Sequence, residues 1–378
     1  MGKRILVLSA AVGAGHLRAA EAVEKALRGL DPRASVKTVD MLTLTNALYR
    51  RVYAKAYLDL VNRAPHLLGY FYDKTDKAGP RDGTADRLQQ LIDRINVRGF
   101  TDLLSSEPWD VVVNTHFLSA GLLARLRRKK RTAQRHVTVV TDFDAHAFWD
   151  NQPCDRYYVA TEETRQTLGS RGIPEADIRV TGIPIDPVFA EQKDRASLLK
   201  KHGLRGDRPI VLMLAGGFGV GPIEKLLAGL LRAETGLEVI AVAGRNAALK
   251  QKLERTPVPR HHCLHVLGFT REMDELLVVA DAVVTKPGGL TTSEALARGV
   301  AMVIVNPIPG QEARNSDYLL ENGAAIKINS LGAMAYKVEA LLGDSARLRQ
   351  LRNRAKSLGR PRSALEVAAD VLRLAGTG

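Results

Sequence analysis

Cysteine is almost missing from these 378 residues: Cys154 and Cys263 are the only two. Two cysteines build no disulfide framework, and neither stands in a Cys/His cluster at zinc spacing. The chain therefore reads as a resident of a reducing, cytoplasmic compartment, with no bound metal expected. Long apolar runs are missing too. No stretch approaches the roughly 20 residues that a spanning helix needs. The run from Ile5 to Ala11, behind Met1-Gly2-Lys3-Arg4, is too short for a signal peptide and reads as a buried strand. Aromatic residues make up only 5%, yet hydrophobic residues at 45% and charged ones at 25% are ordinary for a packed protein, which excludes disorder, collagen and coiled coil as the main organisation. No helix-turn-helix, zinc-finger or RNA-recognition pattern occurs, so nucleic acid is not the expected partner.

Acidic residues are in short supply: 41 Asp and Glu against 55 Lys and Arg leave a formal charge of +14. Such an excess favours anionic partners, which are phosphates, anionic lipid or nucleic acid. Two clusters stand out, Arg125-Arg127-Arg128-Lys129-Lys130-Arg131-Arg135 and Arg347-Arg349-Arg352-Arg354-Lys356-Arg360-Arg362. They read either as solvated helix faces or as membrane attraction, worth about 1 kcal/mol per charge at an anionic surface.

At about 150 residues per domain the length suggests two domains. Apolar strand-like runs alternate with helical patterns: 3–10, 35–39, 110–114, 136–141 and 156–160, then, after a restart at Arg208, 209–215, 237–243, 263–267, 281–285, 301–305 and 324–328. This alternation predicts α/β architecture, two doubly wound parallel sheets covered on both faces. Gly182, Pro184 and Pro187 break the pattern. The expected division is an N-terminal domain 1–187, a linker 188–204, a second domain 205–360 and a terminal helix 361–378. Ligands of such sheets sit beyond the carboxyl ends of the strands, here expected in a cleft where the two domains face. The segment 45–77 fits neither rhythm. Tyr49, Tyr53 and Tyr57 share a helical face, with Tyr70, Phe71 and Tyr72 further on and Arg50, Arg51, Lys55 and Arg63 mixed in. It reads as a membrane-interface element or a core helix with a basic outer face.

Three glycine loops follow strands. Gly13-Ala14-Gly15-His16 lacks the third glycine of a dinucleotide fingerprint, having Arg18 there. Gly216-Gly217-Phe218-Gly219-Val220-Gly221 ends in Pro222-Ile223, without the Lys-Ser/Thr of a P-loop. In Pro287-Gly288-Gly289-Leu290-Thr291-Thr292-Ser293-Glu294, backbone amides and hydroxyls meet a helix start, an arrangement suited to a diphosphate, with Glu294 placed to accept from ribose hydroxyls. Singly each is as well explained as a tight turn; together they favour a phosphate ligand. His16 stands where a loop becomes a helix, as a neutral base or as a capping or core residue. Asp142, Asp144 and His146 follow a strand end, to position the base, hold a metal or form a turn. Gln311 and Glu312, with Asn315, suit sugar hydroxyls or a helix cap.

At these residues the sequence resembles the monogalactosyldiacylglycerol synthase and processive diacylglycerol glucosyltransferase family, and more distantly the peptidoglycan N-acetylglucosaminyltransferase. The resemblance runs through Ser9 to His16, Pro65-His66-Leu67-Leu68, Thr75-Asp76-Lys77, Asn114-Thr115-His116, Thr141-Asp142-Phe143, His146, Trp149 and Thr181 to Ile185. It continues in Gly216 to Gly219, Gly244-Arg245-Asn246, Gly268-Phe269-Thr270, Lys286 to Gly289 with Ser293-Glu294, and Pro309 to Glu312.

The resemblance implies a GT-B fold, the acceptor on the first domain and a UDP-sugar on the second, with the last helix crossing back to the first. It implies an inverting, metal-free transfer of a hexose to diacylglycerol or a similar lipid, by a peripheral protein on the inner face of the cell membrane, and no cofactor. His16 would be the base, with Asp142 near it. Phe269 would lie by the uracil, with Arg245, Asn246, Gly268 and Thr270 around the nucleotide. Pro287, Gly288, Gly289, Thr291, Thr292 and Ser293, and the loop Gly217-Phe218-Gly219, would hold the diphosphate; Glu294 the ribose; Gln311 and Glu312 the sugar. Tyr49, Tyr53, Tyr57, Leu68 and Phe71 would lie on the acceptor and membrane side. Leu17 and Leu68 depart from the family pattern on that side. A UDP-sugar epimerase, a transferase to a polyprenyl-linked sugar and a non-catalytic UDP-sugar-binding regulator are the rival readings.

Overall fold

The computed structural model describes residues 2–11, 14–45, 74, 76, 97–215 and 223–376. Their twelve strands form two sheets of six. In the first, β1 (Arg4–Ser9) lies between β2 (Ser35–Asp40) and β3 (Val111–Asn114), and β4 (His136–Val139), β5 (Arg156–Val159) and β6 (Ile178–Val180) follow in order. The second runs β12-β11-β10-β7-β8-β9, from β7 (Ile210–Leu214), β8 (Glu238–Val242), β9 (Cys263–Leu267), β10 (Ala282–Thr285), β11 (Ala301–Val305) and β12 (Ala325–Ile328). Every pairing is parallel.

Parallel strands need helical crossovers, which cover both faces and require apolar side chains on each. Every residue of β7 and β11 is accordingly buried. In β1, Ile5 and Val7 pack with Val23, Leu27 and Val113, while Leu6 and Leu8 pack on the opposite face with Phe100, Trp109 and Leu123. The fold is the α/β, doubly wound arrangement expected from the alternation. The strand missing from the sequence reading is β6, whose three residues at a sheet edge carry too little pattern to be seen.

The chain divides into two compact units. The first comprises Met1–Pro187, Ile308–Arg314 and Arg362–Gly378, and the second Val188–Pro307 and Asn315–Pro361. Residues 188–204, read as a linker, belong to the second unit. Asp194 caps the helix Arg195–Lys201, Lys193 pairs with Asp274 and Glu275, and Lys201 with Glu272 and Glu275. The short segment Ile308–Arg314, expected in the second domain, groups with the first.

Within the first unit the helix Ser363–Ala375 lays Val367, Ala368 and Val371 against the helix Ala14–Leu30 and the sheet face. A polar anchor fixes its register. Asp370 accepts hydrogen bonds from Arg156 (2.8 Å) and Tyr158 (2.9 Å), and Ser363 donates to the Ile183 carbonyl (2.8 Å). Burial works to raise the Asp370 carboxyl, but the donors Arg156, Arg373 and Tyr158 outweigh it and hold it below its usual value. Asp370→Ala strands a mostly buried guanidinium and phenol, so it should cost about 3 kcal/mol. Asp370→Asn, which keeps an acceptor, should cost less. Urea midpoints measure both; an Asp370→Ala protein unfolding at the wild-type midpoint would mean that apolar packing alone holds this helix.

Candidate active site

Because all strands of a sheet point the same way, the residues that follow them gather along one edge. In the second unit the strand order reverses between β7 and β10, and a crevice at such a reversal is where ligands enter. Arg245 and Asn246 follow β8, Gly268, Phe269 and Thr270 follow β9, and Pro287, Gly288 and Gly289 follow β10. The loop after β7, with Gly217, Phe218 and Gly219, lies outside the described residues, as do Tyr49, Tyr53, Tyr57, Leu68 and Phe71.

Gly288 caps the helix Gly289–Arg298 without a side-chain bond, leaving the first-turn amides for an anion. Asn315 Nδ2 donates to the Pro287 carbonyl at 3.0 Å and holds that turn against the next helix. Thr291 is half-buried, and Thr292, Ser293 and Glu294 are buried. Phe269 is 58% exposed, and the Arg245 guanidinium lies 5.1 Å from its ring centre. An exposed ring with a cation on it is a platform for a planar base. Several expected ligand contacts also carry local structure. Asn246 Oδ1 accepts from Leu249 N as a helix cap, Thr270 Oγ1 from Glu272 N, and Glu312 Oε2 from Ile308 N, while Ser293 donates back to the Gly289 carbonyl.

In the first unit β1 and β3 mark the corresponding reversal. His16 sits in the first turn of the helix after β1. Its Nδ1 lies 3.1 Å from the Thr115 carbonyl and 2.9 Å from Thr141 Oγ1. A carbonyl only accepts, so Nδ1 carries the proton and Nε2 is left with the basic lone pair. Burial pushes His16 down to about 4, against the opposing Thr115 hydrogen bond. His116, ring centre 4.4 Å away, is also held neutral, by burial and then by the neighbouring His16; its Nδ1 accepts from Leu118 N at a helix start.

Asp142 is not the group that orients His16. Its Oδ2 accepts from Trp149 Nε1 and from Gln311 Nε2, each at 3.0 Å. Burial lifts it to about 7, with the Asp144 charge adding and the two hydrogen bonds opposing. The residues that hold His16 are Thr115 and Thr141, which sequence reasoning quoted but gave no role, because a backbone carbonyl leaves no mark on residue type. Asp144 pairs with Arg314 (2.7 Å), and His146 caps a short turn by accepting from Phe148 N, so these three side chains form a turn with separate partners. Arg314 also meets Asp76 (2.8 Å), which binds Arg171 and the Ala147 amide. Asp76 stands in the sequence reading without a role, and Arg314 is missing from it. The signal for Arg314 was its place three residues after Gln311, on the same helix face.

The chain matches a family model described as monogalactosyldiacylglycerol (MGDG) synthase over residues 16–185, and one described as glycosyl transferases group 1 over residues 194–358. A processive diacylglycerol beta-glucosyltransferase of Bacillus pumilus (strain SAFR-032) is 30% identical over 372 residues, 98% of this chain and 94% of that protein. Among solved structures, MurG of Acinetobacter baumannii is 16% identical with a TM-score of 0.61, over 98% of this chain and 99% of that one. Anabaena Alr3699/HepE, solved with UDP-glucose, is 13% identical with a TM-score of 0.54, over 98% and 99%. At these identities the structures speak for the fold alone, which is GT-B.

The neutral His16 can be checked directly. In nitrogen-edited NMR spectra its ring should carry the proton on Nδ1 and titrate at about 4; a midpoint near 6.5 would show that the site does not desolvate it. His136 is lowered to about 4 as well, by burial. Unfolding returns both to ordinary values, so the unfolded chain binds more protons in this window and the melting temperature should fall as pH drops through it. Asp142 acts in the opposite sense, since its raised value makes stability fall as pH rises from 3.8 to about 7.

Proposed function

The chain belongs to the family of processive diacylglycerol beta-glucosyltransferases, and from that premise we propose that it moves a hexose from a UDP-sugar to a lipid alcohol, diacylglycerol before any other. It is a glycosyltransferase of glycolipid synthesis. The observation that carries the reaction is the His16 ring, whose Nδ1 is committed to the Thr115 carbonyl and whose Nε2 is thereby a proton acceptor.

The mechanism is one displacement with inversion. The acceptor hydroxyl oxygen forms a bond to the anomeric carbon, the bond from that carbon to the diphosphate oxygen breaks, and its electron pair leaves on UDP. The hydroxyl proton passes to His16 Nε2. A base held near 4 is weak, so this transfer is late, completed as bond formation acidifies the hydroxyl. Negative charge growing on the leaving phosphate is met by the first-turn amides of the helix Gly289–Arg298. Phe269 and Arg245 support the base-binding role, and Gln311 and Glu312 the sugar. The displacement uses no metal, a reading supported by Asp142, Asp144 and His146 each holding protein partners.

The protein works as a peripheral protein at an anionic inner membrane face. The +14 charge supports this, as does the helix Ser345–Leu358, where Arg347, Arg349, Arg354 and Lys356 are exposed and no acid occurs. Among the described residues no helix is long and apolar enough to cross a membrane.

Mass spectrometry of anionic liposomes carrying diacylglycerol, incubated with the protein and a panel of UDP-sugars, should reveal a hexosyl-diacylglycerol. Isomerised sugar without lipid product would replace this reading by the epimerase, and product only with a polyprenyl-linked sugar would replace the acceptor. His16→Ala should keep UDP affinity and lose about 10²-fold or more in turnover. Adding EDTA should leave turnover unchanged; its loss, restored by a divalent cation, would refute the metal-free displacement.

A further inference from the structure

We propose that Asp142 is a positioning residue: together with Trp149 it locks the side-chain amide of Gln311 in one orientation, so that Gln311 offers the donor sugar its carbonyl oxygen and its second N–H. The proposal deepens the reading of Gln311 as a sugar contact and rests on it.

The argument is one of donors and acceptors. The indole Nε1 of Trp149 only donates, so its 3.0 Å hydrogen bond makes Asp142 Oδ2 an acceptor. Gln311 Nε2 lies 3.0 Å from the same oxygen. The two ends of a glutamine amide are nearly the same size, and against most partners either end can turn inward. Here Oε1 turned toward Oδ2 would set lone pair against lone pair, so only Nε2 fits. Oε1 is then left for a ligand.

This holds in both protonation states of Asp142. The indole hydrogen of Trp149 already points at Oδ2 and cannot be reversed, so a proton taken up by the carboxyl is favoured on Oδ1, and Oδ2 remains an acceptor. Trp149 is fully buried and Asp142 is 6% exposed, so bulk water does not compete for these bonds. Burial lifts Asp142 to about 7. A residue required only as an acceptor loses nothing by being partly neutral, whereas the partner of a histidinium would lose its purpose.

The backbone carrying Gln311 is equally constrained. Gly310 has φ 96°, and Asn306, directly after β11, has φ 44°, a strained value for a side-chain-bearing residue. Glu312 holds the Ile308 amide, and one turn on Arg314 is anchored by Asp144 and Asp76. A fixed acceptor on a fixed backbone distinguishes a sugar that presents a hydroxyl to it from the epimer that does not.

The test compares Asp142→Ala, Asp142→Asn, Trp149→Phe and Gln311→Ala in the full chain, with UDP-glucose, UDP-galactose and diacylglycerol vesicles, reading KM, kcat and melting temperature. Asp142→Ala should raise the KM of the preferred donor about tenfold and narrow the preference between the two, with kcat within about threefold. Asp142→Asn should restore that KM, since its amide oxygen can accept both hydrogen bonds. Trp149→Phe should narrow the preference as well, because the carboxyl is no longer held as an acceptor toward Gln311. A loss of kcat by about 100-fold in both Asp142 variants at unchanged donor KM would place Asp142 in proton transfer and overturn the proposal, as would wild-type constants in Asp142→Ala. If Asp142→Ala does not fold, Asp142→Asn decides on the same criterion of kcat. An unchanged donor KM in Gln311→Ala would sink instead the reading of Gln311 as a sugar contact.

Discussion

Thr115 is where the geometry of the first unit converges. The pairing of β1 with β3 brings the end of β3 beside the end of β1, and Thr115 ties the two with four contacts. Its amide donates to the Leu8 carbonyl at 2.9 Å, its hydroxyl lies 3.3 Å from that carbonyl and 3.1 Å from the His16 carbonyl, and its own carbonyl meets the His16 ring. One residue thus fixes the strand pairing, the start of the helix and the tautomer of the proposed base. Without the parallel pairing the same residues would be about a hundred positions apart in an open chain.

Burial then sets the charges. It drives His16 and His116 toward the neutral form and Asp142 toward the protonated one. A site lined this way carries little fixed charge of its own although the protein carries +14. Such a site suits the uncharged alcohol of the proposed reaction. Where charges are kept, they are paired in hubs: Asp76 and Asp144 with Arg314, and Asp370 with Arg156. Each hub ties a distant stretch of sequence to the first sheet, which is why a seven-residue segment near position 310 and the terminal helix both group with it.

The second unit shows how a parallel sheet assembles a ligand edge from unrelated stretches. Phe269, Arg245 and the Gly288 turn follow three different strands, and each is unremarkable alone. A common strand direction brings them to one side of the sheet. The residues there do two things at once: Asn246 and Thr270 cap or hold their own loops while standing where a ligand is expected. These local hydrogen bonds stiffen the loops before any ligand arrives.

The sequence by itself determined the fold class, because period-two apolar runs alternating with helical periods leave few alternatives to covered parallel sheets. Among the described residues it marked eleven of the twelve strands, missing only the three-residue β6, and it marked His16 and the glycine turns, since glycine before a helix start is a local signal. Tertiary structure alone decided who orients whom. The partner of His16 is a carbonyl, and every residue has one. Asp142 lies next to Thr141 in the chain, but its side chain turns to Trp149 and to Gln311, which is 169 positions away. Hydrogen-bond partners across such separations are set by how strands and helices pack, and residue type records only that a donor or an acceptor is present.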